Sequence, residues 1–334
     1  MLILIDSFEK STSHGYLVEG AAQTMGPPGG ETYHRVSQHQ QVDGRPSMPH
    51  LTAISRLQAQ LAAGPLDGPE AREHLEHFVV EAAAGNLQLA TSLLKEVEGQ
   101  NFQNSVVNLS QGLDSLTLLH LANYPMSPKS RLEPHQQQTY RTNLLRAAAC
   151  DSDDPVELDR RLLMAISGLV QSSADIEKSR QDWRAQVRSF ESAHNSVVVA
   201  AGNSGQAMQA LARAGFELNG NEDLNLLSVE EVTTVGASTT DPGGTLSLAS
   251  SSSFGPEVDI VADGNHAGTF GTSFASPRVA NLMRLGHVLQ PELSSAEVED
   301  WLKANLAEVG QIGDHSVAIV DSKRAANFVA RFAT

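Results

Sequence analysis

Gly271-Thr272-Ser273-Phe274-Ala275-Ser276-Pro277, continuing into Arg278-Val279-Ala280, is the stretch from which the fold can be read. A turn of small residues holding a serine runs straight into an apolar segment whose helical pattern extends to about Leu289. Such a turn sets a hydroxyl at a helix N-terminus, where unpaired N–H groups and the positive end of the helix dipole stabilise a developing oxyanion. On its own, a serine in a Gly/Ala/Ser-rich turn is a helix cap. What raises Ser273 above that is the company it keeps along the chain.

A serine nucleophile needs a base and a group to orient the base. The chain opens Met1-Leu2-Ile3-Leu4-Ile5-Asp6-Ser7, an apolar run ending in a carboxylate, which reads as a buried parallel strand with Asp6 at its C-terminal edge. Ser11-Thr12-Ser13-His14-Gly15-Tyr16-Leu17-Val18 follows, polar capping residues before a helix that carries His14 in its first turn. Val197-Val198-Val199-Ala200-Ala201-Gly202-Asn203 is an apolar strand running into a turn, and Val107-Asn108-Leu109-Ser110-Gln111-Gly112 is another strand with a small-residue end.

Together these segments resemble the subtilases, the subtilisin-like serine proteases. GTSFASPRVA resembles the family's serine motif, His14-Gly15-x-x-Val18 its histidine motif, and Ile5-Asp6-Ser7 its aspartate motif, in the order Asp, His, Ser. The segment Ala249 to Gly264 resembles the approach to the nucleophile. The resemblance spans roughly residues 1–24, 103–113 and 194–334. It implies a doubly wound α/β fold with a mostly parallel sheet flanked by helices, and peptide-bond hydrolysis by Asp6, His14 and Ser273. It also implies that Asn203 donates to the oxyanion, that Ser110, Gln111 and Gly112 pair with substrate backbone, and that Ala200, Ala201 and Gly202 wall the pocket for the residue before the cut.

One departure from the family is large. Only seven residues separate Asp6 from His14, where the family places a longer excursion. At about 3.3 Å per residue that segment spans about 23 Å when extended, so contact between the two side chains is within reach, and the short loop bears on substrate binding more than on the triad.

Two other functional classes fit the same residues: a peptide ligase or macrocyclase using the same acyl-enzyme, and a peptide-binding pseudoprotease without activity. The ligase would need a lid that excludes water. Residues 125–193, a polar stretch with helical periodicity at Leu158, Leu162, Leu163, Ile166, Leu169 and Val170, stand between two family segments that are normally closer together. They are expected to form a helical insertion near the mouth of the cleft, either a lid or partner surface or a structural addition.

The 334 residues suffice for a single peptidase domain with insertions. A formal charge of −16, with no basic cluster, argues against nucleic acid and anionic membranes as partners. The expected partners are a peptide or protein substrate and an inhibitor or regulatory protein. The apolar start is too short for a signal peptide and leaves no room for the N-terminal prodomain that most subtilases carry, so the expectation is a cytoplasmic enzyme restrained by other means. Cys150 is the single cysteine and reads as a packing residue. No cofactor is expected. His74 and His77 have helical metal-ligand spacing but read as solvated, and no acidic loop offers the ligand spacing of the structural calcium sites common in the family. Helices are expected from Asp67 to Gly85 and from Asn86 to Gly99, a strand near Tyr33 to Val36, and at the end a capped helix from Ser294, a closing strand Val317–Asp321 and a last helix to Phe332.

Overall fold

The strand β1 (Leu2–Asp6) is buried along its whole length, and its side chains divide by alternation. Ile3 and Ile5 join one hydrophobic cluster, Leu2 and Leu4 another. A strand apolar on both faces must be covered on both, and that requirement builds the layered molecule.

The computed structural model describes residues 1–8, 13–25, 33–37, 40–42, 45–216, 224–240, 246–312 and 315–331. After β1 come α1 (His14–Gln23), β2 (Tyr33–Ser37), the hairpin β3 (Gln40–Val42) and β4 (Arg45–Ser47), α2 (Pro49–Ala62), α3 (Gly68–Glu98) and β5 (Val106–Leu109). Helices α4 (Ser115–Asn123), α5 (Pro134–Ala147), α6 (Pro155–Ser172) and α7 (Ala174–Glu191) precede β6 (Ser196–Ala200). Then follow α8 (Gly205–Arg213), β7 (Thr233–Thr240), β8 (Leu246–Leu248), β9 (Ile260–Asp263), and the short pair β10 (Asn265–His266) and β11 (Thr269–Phe270). The chain closes with α9 (Thr272–Leu289), α10 (Ser295–Leu306), β12 (Ala307–Ile312), β13 (His315–Val320) and α11 (Ser322–Ala330). The expectations for Ser11, Thr12 and Phe332 lie outside the described residues.

The main sheet runs β12-β13-β9-β7-β6-β5-β1-β2 and is parallel from β13 to β2, with β12 antiparallel at its edge and β8 antiparallel on β7. One face carries α1, α9 and α10, where Val18, Val279 and Val298 meet Leu2, Leu4 and Val198. The other carries α2 to α7, where Leu87, Ile166 and Trp183 meet Ile3, Val107 and Val199. This is the doubly wound α/β architecture anticipated from the sequence.

One expectation about elements changes. Residues 68–98 form one helix of 31 residues instead of two. Gly85 lies inside it, where a β-carbon would come within 2.8 Å of Pro49 Cβ at the start of α2. That glycine serves close helix packing and not helix termination. Residues 125–193 form a layer over the sheet: Tyr140, Leu158, Leu162, Ile166, Trp183 and Phe190 are all buried in the same cluster as α3.

Candidate active site

Pairing Ile5 with Leu109, and Leu109 with Val199, sets the ends of β1, β5 and β6 side by side. Asp6, Ser110 and the turn after Ala200 therefore share one edge, the carboxyl edge at which open α/β sheets bind ligands.

Asp6 is fully buried. His14, the first residue of α1, donates Nδ1–H to its carboxylate, 2.9 Å from Oδ1 and 3.0 Å from Oδ2. That bond fixes the tautomer and leaves Nε2 as the acceptor. The short connection closes because Gly15 lets the chain fold back over the helix start: its N–H donates to Ser7 O at 2.9 Å, and a β-carbon there would lie 2.6 Å from the same oxygen. Asp6 Oδ1 also accepts from Ser7 N–H at 2.7 Å and from Gln111 Nε2 at 2.8 Å.

Ser273 is the second residue of α9, so its backbone N–H has no acceptor within the helix. The helix start is fastened to the turn after β6: Thr272 N–H donates to Asn203 Oδ1 at 2.9 Å, and Thr272 Oγ1 lies 3.2 Å from both Gly202 N and O. Because the Asn203 amide oxygen is occupied in this way, its NH₂ group is the free end. Phe274 packs between two imidazoles, with ring centroids 5.7 Å from His14 and 5.8 Å from His266. Among the described residues Ser273 Oγ makes no hydrogen bond, His14 included; such bonds are often long in an empty site and tighten with substrate.

A cavity of about 450 Å³ opens here, lined by His14, Asn203 and Ser273 together with Ser110, Gln111, Gly112, Ala200 and Gly202. Asp6 and Ala201 are not part of its lining. Ala201 is fully buried with Leu224, Val258 and Val261, so only Ala200 and Gly202 of the expected wall reach the cavity. The Ser110 side chain turns inward, accepting from Asn108 Nδ2 at 2.6 Å and lying 3.3 Å from Ser276 Oγ on α9. Gln111 spends its side chain on Asp6. No residue of 125–193 lines the cavity.

Four residues were not singled out from the sequence. Thr272 pins the Asn203 turn. Arg278, 4% exposed, pairs with Asp263 at 3.1 Å and donates to Thr24 Oγ1 at 3.0 Å, tying α9 to the end of β9 and to α1. His50, at the start of α2, also lines the cavity, and burial lowers its pKa. Asp114, also in the lining, has its carboxyl pushed up to about 6 by burial, with hydrogen bonds from Thr117, Ser204 and Leu116 acting in the opposite sense. Thr272 and Arg278 lie inside the serine-motif stretch without a role of their own, and Asp114 left a signal too: a carboxylate three residues before Thr117 at the head of an apolar run has the spacing of a helix cap.

Among the described residues no group of three or more His, Cys, Asp or Glu is placed to hold a metal, and no helix is long and apolar enough to cross a membrane. His77 is exposed and lies 4.0 Å from Glu73. Cys150 is buried and free, its thiol 3.4 Å from Ser152 O.

The family model of the subtilase family matches residues 100–319, a span that holds Asn203 and Ser273 but not Asp6 and His14. No curated protein matches the chain. Among solved structures, the epidermin leader peptide processing serine protease EpiP from Staphylococcus aureus is 16% identical, with a TM-score of 0.43 over 98% of this chain and 74% of that one. Sphericase is 13% identical, with a TM-score of 0.35 over 67% of this chain and 55% of its own. A chain from the assembly of the subtilase cytotoxin SubAB is 18% identical, with a TM-score of 0.34 over 46% of this chain and 55% of its own. The chain spans about 55% of the length of the SubAB chain and of sphericase.

Proposed function

The chain belongs to the subtilase family, and from that premise we propose that it is a serine endopeptidase working through Asp6, His14 and Ser273. The observation that carries the reading is the hydrogen bond from His14 Nδ1–H to buried Asp6, in a histidine that shares its cavity with a serine at a helix N-terminus. In this mechanism Asp6 holds the imidazole with Nε2 facing the cleft. His14 takes the Ser273 proton as Oγ attacks the peptide carbonyl. The Asn203 NH₂ group and the Ser273 N–H receive the negative charge that forms on the oxygen. His14 then returns the proton to the leaving amine, and water releases the acyl group by the same route in reverse.

Among the described residues no part of 125–193 lines the cavity, and water is taken as the acceptor. The peptide chain is expected to lie along the Ser110–Gly112 edge through backbone hydrogen bonds, since the side chains of Ser110 and Gln111 are engaged elsewhere.

The test is intact-mass labelling with a fluorophosphonate, beside Ser273→Ala and His14→Ala. One adduct per chain, mapped to Ser273 and abolished in both variants, is the expected result. A folded wild-type protein that takes no label would sink the reading.

A further inference from the structure

The cavity holding His14 and Ser273 contains a carboxylate that the mechanism does not use. Asp114 is the N-cap of α4 and only 4% exposed. Oδ1 accepts from Thr117 N–H at 2.5 Å and Oδ2 from the Ser204 hydroxyl at 3.0 Å. The first bond is what a helix cap requires. Capping does not explain why the carboxylate is buried, why it lines the cleft, or why among the described residues no Lys, Arg or His pairs with it.

The surroundings are shaped for a guest. Gly112, Ala200 and Gly202 bring no bulk to the lining. Asn225 closes the gap between the two strand ends: its Nδ2 donates to Ala200 O at 2.9 Å, its Oδ1 accepts from Leu227 N–H at 3.0 Å, and a β-carbon on Gly112 would lie 2.0 Å from it. With both ends of that amide satisfied, Asn225 offers a substrate little. Ser204, which holds Asp114, directly follows Asn203. A substrate side chain reaching the Ser204 end of the cavity, past Asn225, therefore meets one unspent charge among the described residues, and that charge is negative.

We propose that Asp114 selects the substrate, and that the residue just before the scissile bond is a long cationic one, Lys or Arg. An apolar side chain would seal the carboxylate from water without a counter-charge, a costly arrangement, whereas an ammonium or guanidinium supplies it. The inference rests on the serine peptidase reading and adds the substrate class to it.

The experiment uses two probe sets at pH 8, where Asp114 is ionised. Diphenyl aminophosphonates of one peptide sequence, differing only in an Arg-like, Gln-like or Leu-like side chain at the position before the cut, report the rate of Ser273 modification without turnover. A plain fluorophosphonate reports whether the nucleophile is live. The expected result is a modification rate roughly 100-fold higher for the Arg-like probe than for the Leu-like probe. In Asp114→Asn, which keeps the helix cap, the Arg-to-Leu ratio should collapse at least about tenfold; a ratio cancels any general loss of activity. A wild-type protein that takes the Leu-like or Gln-like probe as fast as the Arg-like one overturns the proposal and leaves the peptidase reading standing. So does an Arg preference that survives in Asp114→Asn. A folded protein that reacts with neither probe set overturns both.

Discussion

Asp6 Oδ1 takes three donors, from His14, Ser7 and Gln111. The last of these bears most on how the proposed base is held in place. With only seven residues between Asp6 and His14 there is little chain to wrap the carboxylate, and Gln111 reaches across from the end of β5 to cover it. From the sequence Gln111 sits at the cleft and reads as a substrate contact, because a glutamine after a strand looks the same whether its side chain faces a peptide or a neighbouring carboxylate. The two roles separate kinetically. A positioning residue affects the chemical step, while a residue that only binds substrate changes KM with kcat intact. Hydrogen bonds to charged groups contribute about 1.5–3 kcal/mol, so Gln111→Ala should lower kcat on the order of tenfold with KM within about twofold. It should slow fluorophosphonate labelling of Ser273 by a similar factor. A raised KM at unchanged kcat would return Gln111 to substrate binding.

At the scale of elements, apolar periodicity located β1, α1, β5, β6 and α9 but left α2, α4, α8 and β7 unassigned, and it could not say what a helix packs against. The register of Leu158, Leu162 and Ile166 was plain in the sequence, yet a lid and a core layer demand the same stripe. Gly85 shows the same ambiguity in a single residue. It was read as a helix end, because glycine commonly ends helices, whereas it marks the crossing of α2 over α3, where Pro49 leaves no room for a β-carbon. Two effects then compete in Gly85→Ala. Removing glycine from a helix interior gains about 0.5–1 kcal/mol, while forcing a methyl against a rigid pyrrolidine ring in packed surroundings costs about 1–3 kcal/mol. The clash wins, and the urea midpoint should fall by the equivalent of about 1 kcal/mol at an unchanged slope. A midpoint that rises would mean that α2 yields to the methyl and that the crossing is loosely packed.

Across the whole molecule, the net charge of −16 is visible in composition, but where carboxylates are buried is not, because the fold gathers them from distant segments. Glu191 ends α7, Asp259 precedes β9 and Glu299 lies on α10; burial first, then neighbouring carboxylates, holds the Glu191 and Asp259 carboxyls up near 7. Between about pH 4 and 7 the folded protein therefore keeps protons at these sites that the unfolded chain has released. Their contribution to stability is fully present at the acid end of that window and is lost as pH rises through 7. His287, whose pKa burial lowers to about 4, works in the opposite sense over much of the same range, so wild type alone does not isolate the effect. Comparison with Glu191→Gln does. The variant lacks one titrating group, and any pH-independent cost of the buried amide cancels when its stability relative to wild type is followed across pH. That relative stability should move in the variant's favour by on the order of 1–3 kcal/mol between pH 4.5 and pH 8, read from urea midpoints at half-unit steps. A flat difference would mean that water reaches Glu191 and that its carboxyl is not raised by the fold.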